Sequence, residues 1–573
     1  MDRKRKEDKE VSPLAVGLGI GAGLAIGAGL LYGGYKLWKS SQQEKETGAR
    51  AIASGGRPLS IVSIDSSDED DADCFQAAGY YDSYHFPTQP SLCIDDVGVN
   101  FNKWRIPTKL SYSEIRMGKK VCDASENELN INEADWEKAT GAVDRVLQML
   151  LKEVKGEAEK YEGLVIEKYV RQGSSREGLK IHAADEFDVL LQYHFDNLEY
   201  EVENIKSGGS VLPELAYLRV DSTMEDLLLT HPKLCKKGVF FEMNDKPYLS
   251  TMALQEKVFK SIIASASDRI ESRVNEGQSR ETYGFRIKLR TNPPSVNIRI
   301  ELANNDVYKN IKKTHAICYG EFQAEMGRQN GSVKTVIDVD IVPGLLLSED
   351  RVPDPTSKRR TMPCPTYAVF KWFTENHRSA SRFGAKPHLL WRVCSSGYEK
   401  HVIDVARGKR EQMHIVNALR ILKLYFRNRK KMAIDRYEPP PQVVTVLRSY
   451  YLKHIAFYCI LFLRVLNKVE ISDVEVALTY MLEFLGVCLK ERKLPHFFHA
   501  NEYITSMFPN FNCQPRSLRY DLFQGKSGDS LNQAMLTYRT MTDRMFAMFT
   551  ESAVNENVVQ RFRSYVLAGS YYK

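Results

Sequence analysis

Residues 173–189 read GSSREGLKIHAADEFDV and hold the two features that decide the fold. Alternation in a strand that begins at Glu186 places the carboxylates of Glu186 and Asp188 on one face and their apolar neighbours on the other. The turn Gly173-Ser174-Ser175 comes shortly before this strand, and its small residues, hydroxyls and amides suit a phosphate group. This stretch predicts a phosphate-binding turn followed by a strand with two acids.

A second acidic strand is predicted over residues 336–342, with Pro343-Gly344 expected to end it. Asp338 and Asp340 lie in this apolar segment, where carboxylates are costly unless a cation or a hydrogen-bond network balances them. Oxygen ligands from separate strands suit Mg²⁺, which keeps several waters and shares substrate phosphates. The two strands therefore predict a divalent-cation site beside a nucleoside polyphosphate.

The remaining patterns place strands and helices first and helices afterwards. A helix is expected over residues 134–171 and a β-hairpin over 285–302, followed by helical segments at 411–432, 442–466, 472–491 and 529–567. This order predicts an α+β lobe with a mixed sheet, followed by a helical lobe.

Composition is that of a globular protein. The chain has 573 residues, of which 43% are hydrophobic and 27% charged, with a net charge of +7. These values exclude a largely disordered chain and a multi-span membrane protein. The ten cysteines form no CxxC pair, which is typical of reduced thiols in a cytosolic domain.

Residues 14–35 carry no charge and are long enough to cross a bilayer, with basic residues on both sides. They predict a single transmembrane helix; a cleaved signal peptide and a glycine-rich tail are the alternatives. The positive-inside rule would place the bulk of the chain outside the cytosol, whereas the cysteines favour a cytosolic catalytic domain. Basic flanks and moderate hydrophobicity suit the mitochondrial outer membrane. Residues 36–111 read as an acidic linker, in which Ile61-Val62-Ser63-Ile64 is either a strand for a SUMO-type partner or a chance apolar patch.

The stretch 173–189 closely resembles the start of the active site in the cyclic GMP-AMP synthase-like nucleotidyltransferases, and Val339-Asp340-Ile341-Val342-Pro343 resembles their third acidic strand. The resemblance implies that Glu186, Asp188 and Asp340 hold Mg²⁺ or Mn²⁺, with Asp338 as a neighbour and not a ligand. It also implies a two-lobed nucleotidyltransferase fold.

Further segments match the same family in widely separated motifs. Residues 390–396 resemble the segment beneath the acceptor nucleotide, 419–423 the helix whose lysine reaches the triphosphate, and 448–453 a segment that binds phosphate and stacks on a base. The nucleotide-binding residues implied by the family are Gly173, Ser174, Arg392, Lys423, Ser449 and Tyr450.

The chain departs from the vertebrate DNA sensor of this family in the interval 398–423. That interval has His401 and His414 and no cysteine, so the resemblance implies no zinc and puts double-stranded DNA in doubt as the activator. Zinc-less relatives respond to other ligands or to double-stranded RNA, whose A-form helix would be read by its shape and backbone. The basic face of 138–160, residues 358–360 and residues 427–431 are its candidate contacts; ordinary solvated surface is the alternative for each.

The resemblance implies an enzyme that joins ATP and GTP into a cyclic dinucleotide in innate immune signalling. The alternative is a membrane-anchored, inactive nucleotide-binding adaptor of the same fold that acts in mitochondrial dynamics. The expected segments are a basic tail at 1–13, the span at 14–35, the linker at 36–111, the nucleotidyltransferase core lobe at 112–365, the helical lobe at 366–515 and a helical extension at 516–573.

Overall fold

A computed structural model of the chain describes residues 103–207, 210–275, 285–292, 295–302, 335–353, 361–371, 383–499, 501, 503–504, 508, 520–524, 526–549 and 554–568. The predicted span at 14–35, the SUMO-type segment at 61–64 and the basic residues 358–360 lie outside this part of the chain.

Within the described residues, eleven strands form one mixed sheet. They are β1 (Leu164–Gln172), β2 (Glu186–Phe195), β3 (Tyr200–Ser207), β4 (Ser210–Val220), β5 (Phe240–Met243), β6 (Lys246–Leu249), β7 (Phe285–Asn292), β8 (Ser295–Leu302), β9 (Thr335–Pro353), β10 (Thr361–Phe370) and β11 (Trp391–Cys394).

The helices of the same residues are α1 (Tyr112–Cys122), α2 (Glu126–Leu129), α3 (Glu133–Ala158), α4 (Gly173–Glu177), α5 (Met224–Thr230), α6 (Pro232–Lys236), α7 (Thr251–Ala253), α8 (Lys260–Asn275), α9 (Ser396–Arg407), α10 (Arg410–Asp435), α11 (Gln442–Val446), α12 (Ser449–Cys459), α13 (Val474–Lys490), α14 (Gly528–Phe546) and α15 (Glu556–Ala568). Segments of π-helix at Leu254–Phe259 and Ile460–Leu466 extend α7 and α12, and Pro387–Leu389 is a 3₁₀ turn.

The acidic strands lie side by side. β2 and β9 pair in parallel, with Glu186 opposite Asp338 and Asp188 opposite Asp340, while β1 pairs with the other edge of β2 in the antiparallel sense. The first half of β9 also pairs with β8, which forms the predicted hairpin with β7. The period of two therefore brings four carboxylates to one face of two adjacent strands.

Two hydrophobic cores support these elements. One lies on the sheet, where Val143, Leu150 and Val154 of α3 pack with Phe187 and Val189 of β2. The other is formed by α9–α15 together with α1, α2 and Leu179. The first core fixes the strands that carry the acids, and the second fixes the helices that face them.

Four predicted boundaries are wrong. The helical segment expected over 442–466 is divided at Leu447 and Arg448 into α11 and α12. The helix expected over 134–171 ends at Ala158, and β1 follows a turn at Gly163, whose φ of +72° favours glycine. The last helix is two helices, α14 and α15. Pro343-Gly344 does not end β9, because pairing with β10 begins at Gly344, where an added Cβ would lie 2.6 Å from the Leu190 side chain.

Candidate functional site

Three carboxylates meet at the edge of the β2–β9 pair. One oxygen each from Glu186, Asp188 and Asp340 lies within 4.8 Å of the others. The Glu186 side chain is 60% exposed, whereas Asp188 and Asp340 are half-buried. Convergent carboxylate oxygens that remain open to solvent on one side are the donor set that Mg²⁺ or Mn²⁺ prefers, so these residues fit a divalent cation.

The two acids of β9 have different partners on β8. Asp340 Oδ1 accepts hydrogen bonds from Asn297 Nδ2 at 3.1 Å and Ser295 Oγ at 3.4 Å, which orient it toward the other two acids. Asp338 Oδ1 instead accepts a hydrogen bond from Arg299 Nε at 3.1 Å, and the Arg299 side chain is only 4% exposed. Asp338 is therefore engaged in an ion pair, as expected of a neighbour and not of a ligand.

Gly173 is in direct contact with the acid cluster. Its φ is +66°, in the left-handed region, and a Cβ added here would overlap Asp188 Oδ2. Ser175 of the same turn is buried and donates from Oγ to the Glu186 carbonyl at 2.8 Å. The predicted phosphate turn forms helix α4, and its first residue must be glycine for the Asp188 carboxylate to fit.

Burial, together with the proximity of the three carboxylates, raises the pKa values of Asp188 and Asp340. Burial, followed by the negative charges of Glu186 and Asp340, raises the pKa of Asp188 to about 7, although Lys180 opposes the shift. The pKa of Asp340 is raised by burial and by Glu186 and Asp338, against the hydrogen bond from Asn297. Crowded carboxylates of this kind are stabilised when a cation binds among them.

The free energy of unfolding should depend on pH through Asp188. The folded state raises the pKa of Asp188 above the ordinary 3.8, so the protonated carboxyl is favoured in the folded protein. Its contribution to the free energy of unfolding is therefore complete below about pH 4 and is lost as the pH rises to about 7. In metal-free buffer, Asp188→Asn should therefore match the wild type near pH 4 and exceed its stability by roughly 2–4 kcal/mol near pH 8. Urea unfolding across this range measures the difference, and a difference that does not vary with pH would contradict the assignment.

A cavity of about 460 Å³, here called the lysine cavity, lies on the Glu186 side of the cluster. Its charged and hydroxyl lining is Ser174, Lys180, Asp185, Glu186, Lys423, Arg427, Lys430 and Ser449. Lys180 Nζ, on a side chain that is 7% exposed, lies 2.9 Å from Asp185 Oδ1 and 3.4 Å from Glu186 Oε2. Lys423 Nζ donates to the Leu179 carbonyl at 2.8 Å, and burial, with Lys180 nearby, lowers its pKa to about 7. The excess of cations suits a polyanion such as a triphosphate.

A second cavity of about 340 Å³, here called the tyrosine cavity, lies on the Asp188 side. Its polar lining includes Gly173, Asp188, Glu214, Arg392, Ser395, Glu399, Tyr450 and Lys453. Glu186 lines one cavity and Asp188 the other, so the acid cluster stands where two bound molecules would meet.

Tyr450 is oriented by hydrogen bonds on its hydroxyl. Its Oη lies 2.8 Å from His496 Nε2 and 3.3 Å from Glu399 Oε1. Because His496 Nδ1 accepts from the Phe498 amide at 3.2 Å, Nε2 carries the proton and donates to Tyr450 Oη, which in turn donates to Glu399. Lys453 binds both Glu399 and Glu177, the latter at 2.9 Å. These hydrogen bonds fix the Tyr450 ring at the wall of the tyrosine cavity, with Lys453 Nζ 5.5 Å from the ring centroid.

All nine candidate residues named from the sequence line these two cavities or the acid cluster between them. No role was assigned from the sequence to Lys180, Glu214, Glu399 or Lys453. Lys180 lies inside the segment 173–189 and Lys453 inside the segment 448–453, so the position of each within a family segment was a signal that could have found it. Of the basic residues considered for RNA, Arg427 and Lys430 line the lysine cavity instead.

Two other groups in the described residues have the composition of metal ligands, namely Glu214 with His496 and His499, and Glu399 with His454 and His496. Both include His496, whose two ring nitrogens hold the hydrogen bonds described above. His454 Nδ1 likewise accepts from the Phe497 amide at 2.9 Å. The three carboxylates are therefore the better candidate for a cation.

The described residues contain one stretch that is long and apolar enough to cross a membrane, Ser449–Leu466, and two thirds of that stretch (67%) is buried. It packs in the core of the helical lobe, and its first two residues line the two cavities. Burial of this kind is typical of the core helix of a globular domain, so a membrane span is not shown.

Comparison with known families agrees with this geometry. Residues 175–404 match the family model described as the Mab-21 protein nucleotidyltransferase domain. The match includes Glu186, Asp188, Asp340 and Arg392, and ends before Lys423, Ser449 and Tyr450. A search among curated proteins found no match. Residues 175–404 are therefore a Mab-21 nucleotidyltransferase domain, of the cyclic GMP-AMP synthase-like family that the sequence motifs indicated.

Proposed function

We propose that this protein is a metal-dependent nucleotidyltransferase that joins two nucleoside triphosphates, ATP and GTP, into a cyclic dinucleotide. The observation that carries the proposal is the convergence of Glu186, Asp188 and Asp340 between two cavities of different character. A transferase that joins two nucleotides needs one site for each and its catalytic groups between them.

The lysine cavity would hold the donor nucleotide. Lys180 and Lys423 offer ammonium groups to its phosphates, and Ser174 and Ser449 offer hydroxyls. Phosphate binding would favour the charged form of Lys423, whose pKa is lowered to about 7 by burial, so a nucleotide would bind with uptake of a proton and less tightly as the pH rises above about 7.

The tyrosine cavity would hold the acceptor nucleotide. Tyr450 would stack on its base, since every base offers a π-face, and Arg392 would donate hydrogen bonds from its guanidinium group. The network of His496, Glu399 and Lys453 keeps the tyrosine ring in one orientation before the base arrives, which lowers the entropy lost on binding.

Glu186, Asp188 and Asp340 would hold Mg²⁺ or Mn²⁺. When bound, the cation supplies positive charge that lowers the pKa of the attacking hydroxyl and stabilises the charge that develops on the leaving pyrophosphate. A ribose hydroxyl in the tyrosine cavity attacks the α-phosphorus in the lysine cavity, and its proton passes to a carboxylate of the acid cluster. The new P–O bond forms as the bond between the α-phosphorus and the pyrophosphate oxygen breaks, and pyrophosphate leaves. A second transfer of the same kind closes the ring.

The test is product analysis with radiolabelled ATP and GTP, Mg²⁺ or Mn²⁺, and RNA or DNA duplexes. The wild type should form a phosphatase-resistant product and pyrophosphate, and Glu186→Gln/Asp188→Asn should form neither. A wild type that binds nucleotide but forms no product with any duplex would contradict the enzyme, and fragmentation or fusion of mitochondria on its expression would then favour the inactive adaptor. The anchor at 14–35 and the mitochondrial outer membrane remain predictions, which localisation of the full chain against a chain without residues 1–39 would test. The SUMO-type contact at 61–64 also remains a prediction.

A further inference from the structure

The feature that the proposed mechanism leaves unused is Glu214, a carboxylate in the tyrosine cavity. Its side chain is only 9% exposed, and its Oε1 lies 3.5 Å from Arg392 Nε. Burial raises its pKa above the ordinary range, although Arg392 opposes the shift. Among the described residues, His496 and His499 each also have a ring nitrogen within 4.8 Å of a Glu214 oxygen. Because the ion pair with Arg392 is long and a carboxylate can accept about four hydrogen bonds, Glu214 has acceptor capacity to offer a ligand.

The backbone at Glu214 is strained. Its φ is +66°, in the left-handed region that is unfavourable for a residue with a side chain. It lies within β4, where the pairing with β3 is interrupted between Asn204 and Lys206, and directly before Leu215, the cross-strand partner of Arg392. The strain turns this side chain into the cavity at the level of Arg392, and strain of this kind is concentrated at functional sites.

Glu214 offers carboxylate oxygens as hydrogen-bond acceptors, and Arg392 beside it offers guanidinium N–H groups as donors. Both line the same cavity as Tyr450, on whose ring a base would stack. The Watson–Crick edge of guanine has the complementary order: the 2-amino group and N1–H donate, and O6 accepts. Adenine has an acceptor at N1 and a donor at its 6-amino group, so it would place a lone pair against the carboxylate and N–H groups against the guanidinium. A site built this way rejects the wrong base by leaving its own polar groups without partners.

We propose that Glu214 is a specificity-determining residue that accepts hydrogen bonds from N1–H and the 2-amino group of a guanine stacked on Tyr450, with Arg392 donating to O6. This inference rests on the proposed function in so far as the tyrosine cavity is the acceptor site.

Calorimetric titration with GMP, IMP and AMP tests the inference without any turnover. These monophosphates lack the triphosphate that the lysine cavity would bind, and IMP lacks only the 2-amino group. The wild type should bind GMP roughly 10- to 100-fold more tightly than AMP, with IMP between them. Glu214→Gln should reduce this ratio at least tenfold, because the amide NH2 group can donate to N1 of adenine, whereas the carboxylate can only accept.

Glu214→Gly is the second variant, because glycine adopts the left-handed backbone without strain and should leave the unfolding midpoint no lower than that of the wild type. It must also lose the preference for GMP. Equal affinity of the wild type for GMP and AMP, or an equal loss for both in Glu214→Gln, would overturn the proposal. A GMP preference without product from triphosphates would sink the proposed function alone, and product formation without a base preference would sink this inference alone.

Discussion

Asp340→Asn should lower the rate of nucleotidyl transfer by roughly a thousandfold or more, because it removes one of three anionic ligands at the point where charge develops. The effect on stability should be small or favourable. The raised pKa of Asp340 shows that burial and neighbouring acids disfavour its charge in the folded protein. Steady-state rates and urea unfolding of the same preparation measure both quantities.

Asp338→Asn is the matched control, since it makes the same chemical change two residues away on the same face of β9. Asp338 pairs with the buried Arg299, so this substitution should lower the free energy of unfolding by about 3 kcal/mol. Its rate should stay within roughly tenfold of the wild type, because no catalytic ligand is lost. Equal loss of activity in the two variants would contradict the division of roles between the two acids.

Gly173→Ala is expected to produce the second largest loss. The new Cβ would overlap the Asp188 carboxylate, and alanine is strained at a φ of +66°. Either the turn or the carboxylate must move, and a displacement of about 1 Å at a catalytic ligand lowers a rate by roughly a hundredfold. We also expect a loss of about 1–3 kcal/mol in the free energy of unfolding.

The control for this substitution is Gly141→Ala in the middle of α3. Apart from the adjacent residues and the backbone of the same helical turns, no atom lies within 4 Å of the Cβ that would be added at Gly141, and the position is exposed. Alanine there should raise the free energy of unfolding by about 0.5–1 kcal/mol, since glycine is the poorer helix former. Differential scanning calorimetry and turnover assays on both variants give the comparison, and a Gly173→Ala protein with wild-type rate would refute the tight turn.

The alternation of residues along β2 was enough to predict that its two acids lie on one face, because side chains in a strand alternate with a period of two. It could not choose between Asp338 and Asp340, which have the same spacing; only the resemblance to a family favoured Asp340. The physical reason for the choice lies on β8, where Arg299 pairs with one acid and Asn297 with the other. No local pattern shows that β8 lies beside β9.

The residues of the two cavities likewise could not be brought together from local sequence patterns. Lys423 and Tyr450 come from helices far along the chain, and motif resemblance alone connected them with Glu186 and Asp188. Glu214 gave no signal at all, since a lone glutamate between Pro213 and Leu215 is unremarkable until its backbone angle and its contact with Arg392 are known. Residues that act through tertiary contacts are the ones that sequence reasoning missed.

In the proposed mechanism, three carboxylates from two neighbouring strands bind divalent cations beside a nucleoside polyphosphate. Anomalous diffraction at the manganese edge, from crystals soaked with Mn²⁺ and a non-hydrolysable ATP analogue, tests this binding directly. We expect a manganese peak that is ligated by oxygens of Glu186, Asp188 and Asp340, with the phosphates of the analogue facing Lys423. A crystal with the analogue bound and no manganese among these oxygens would contradict it.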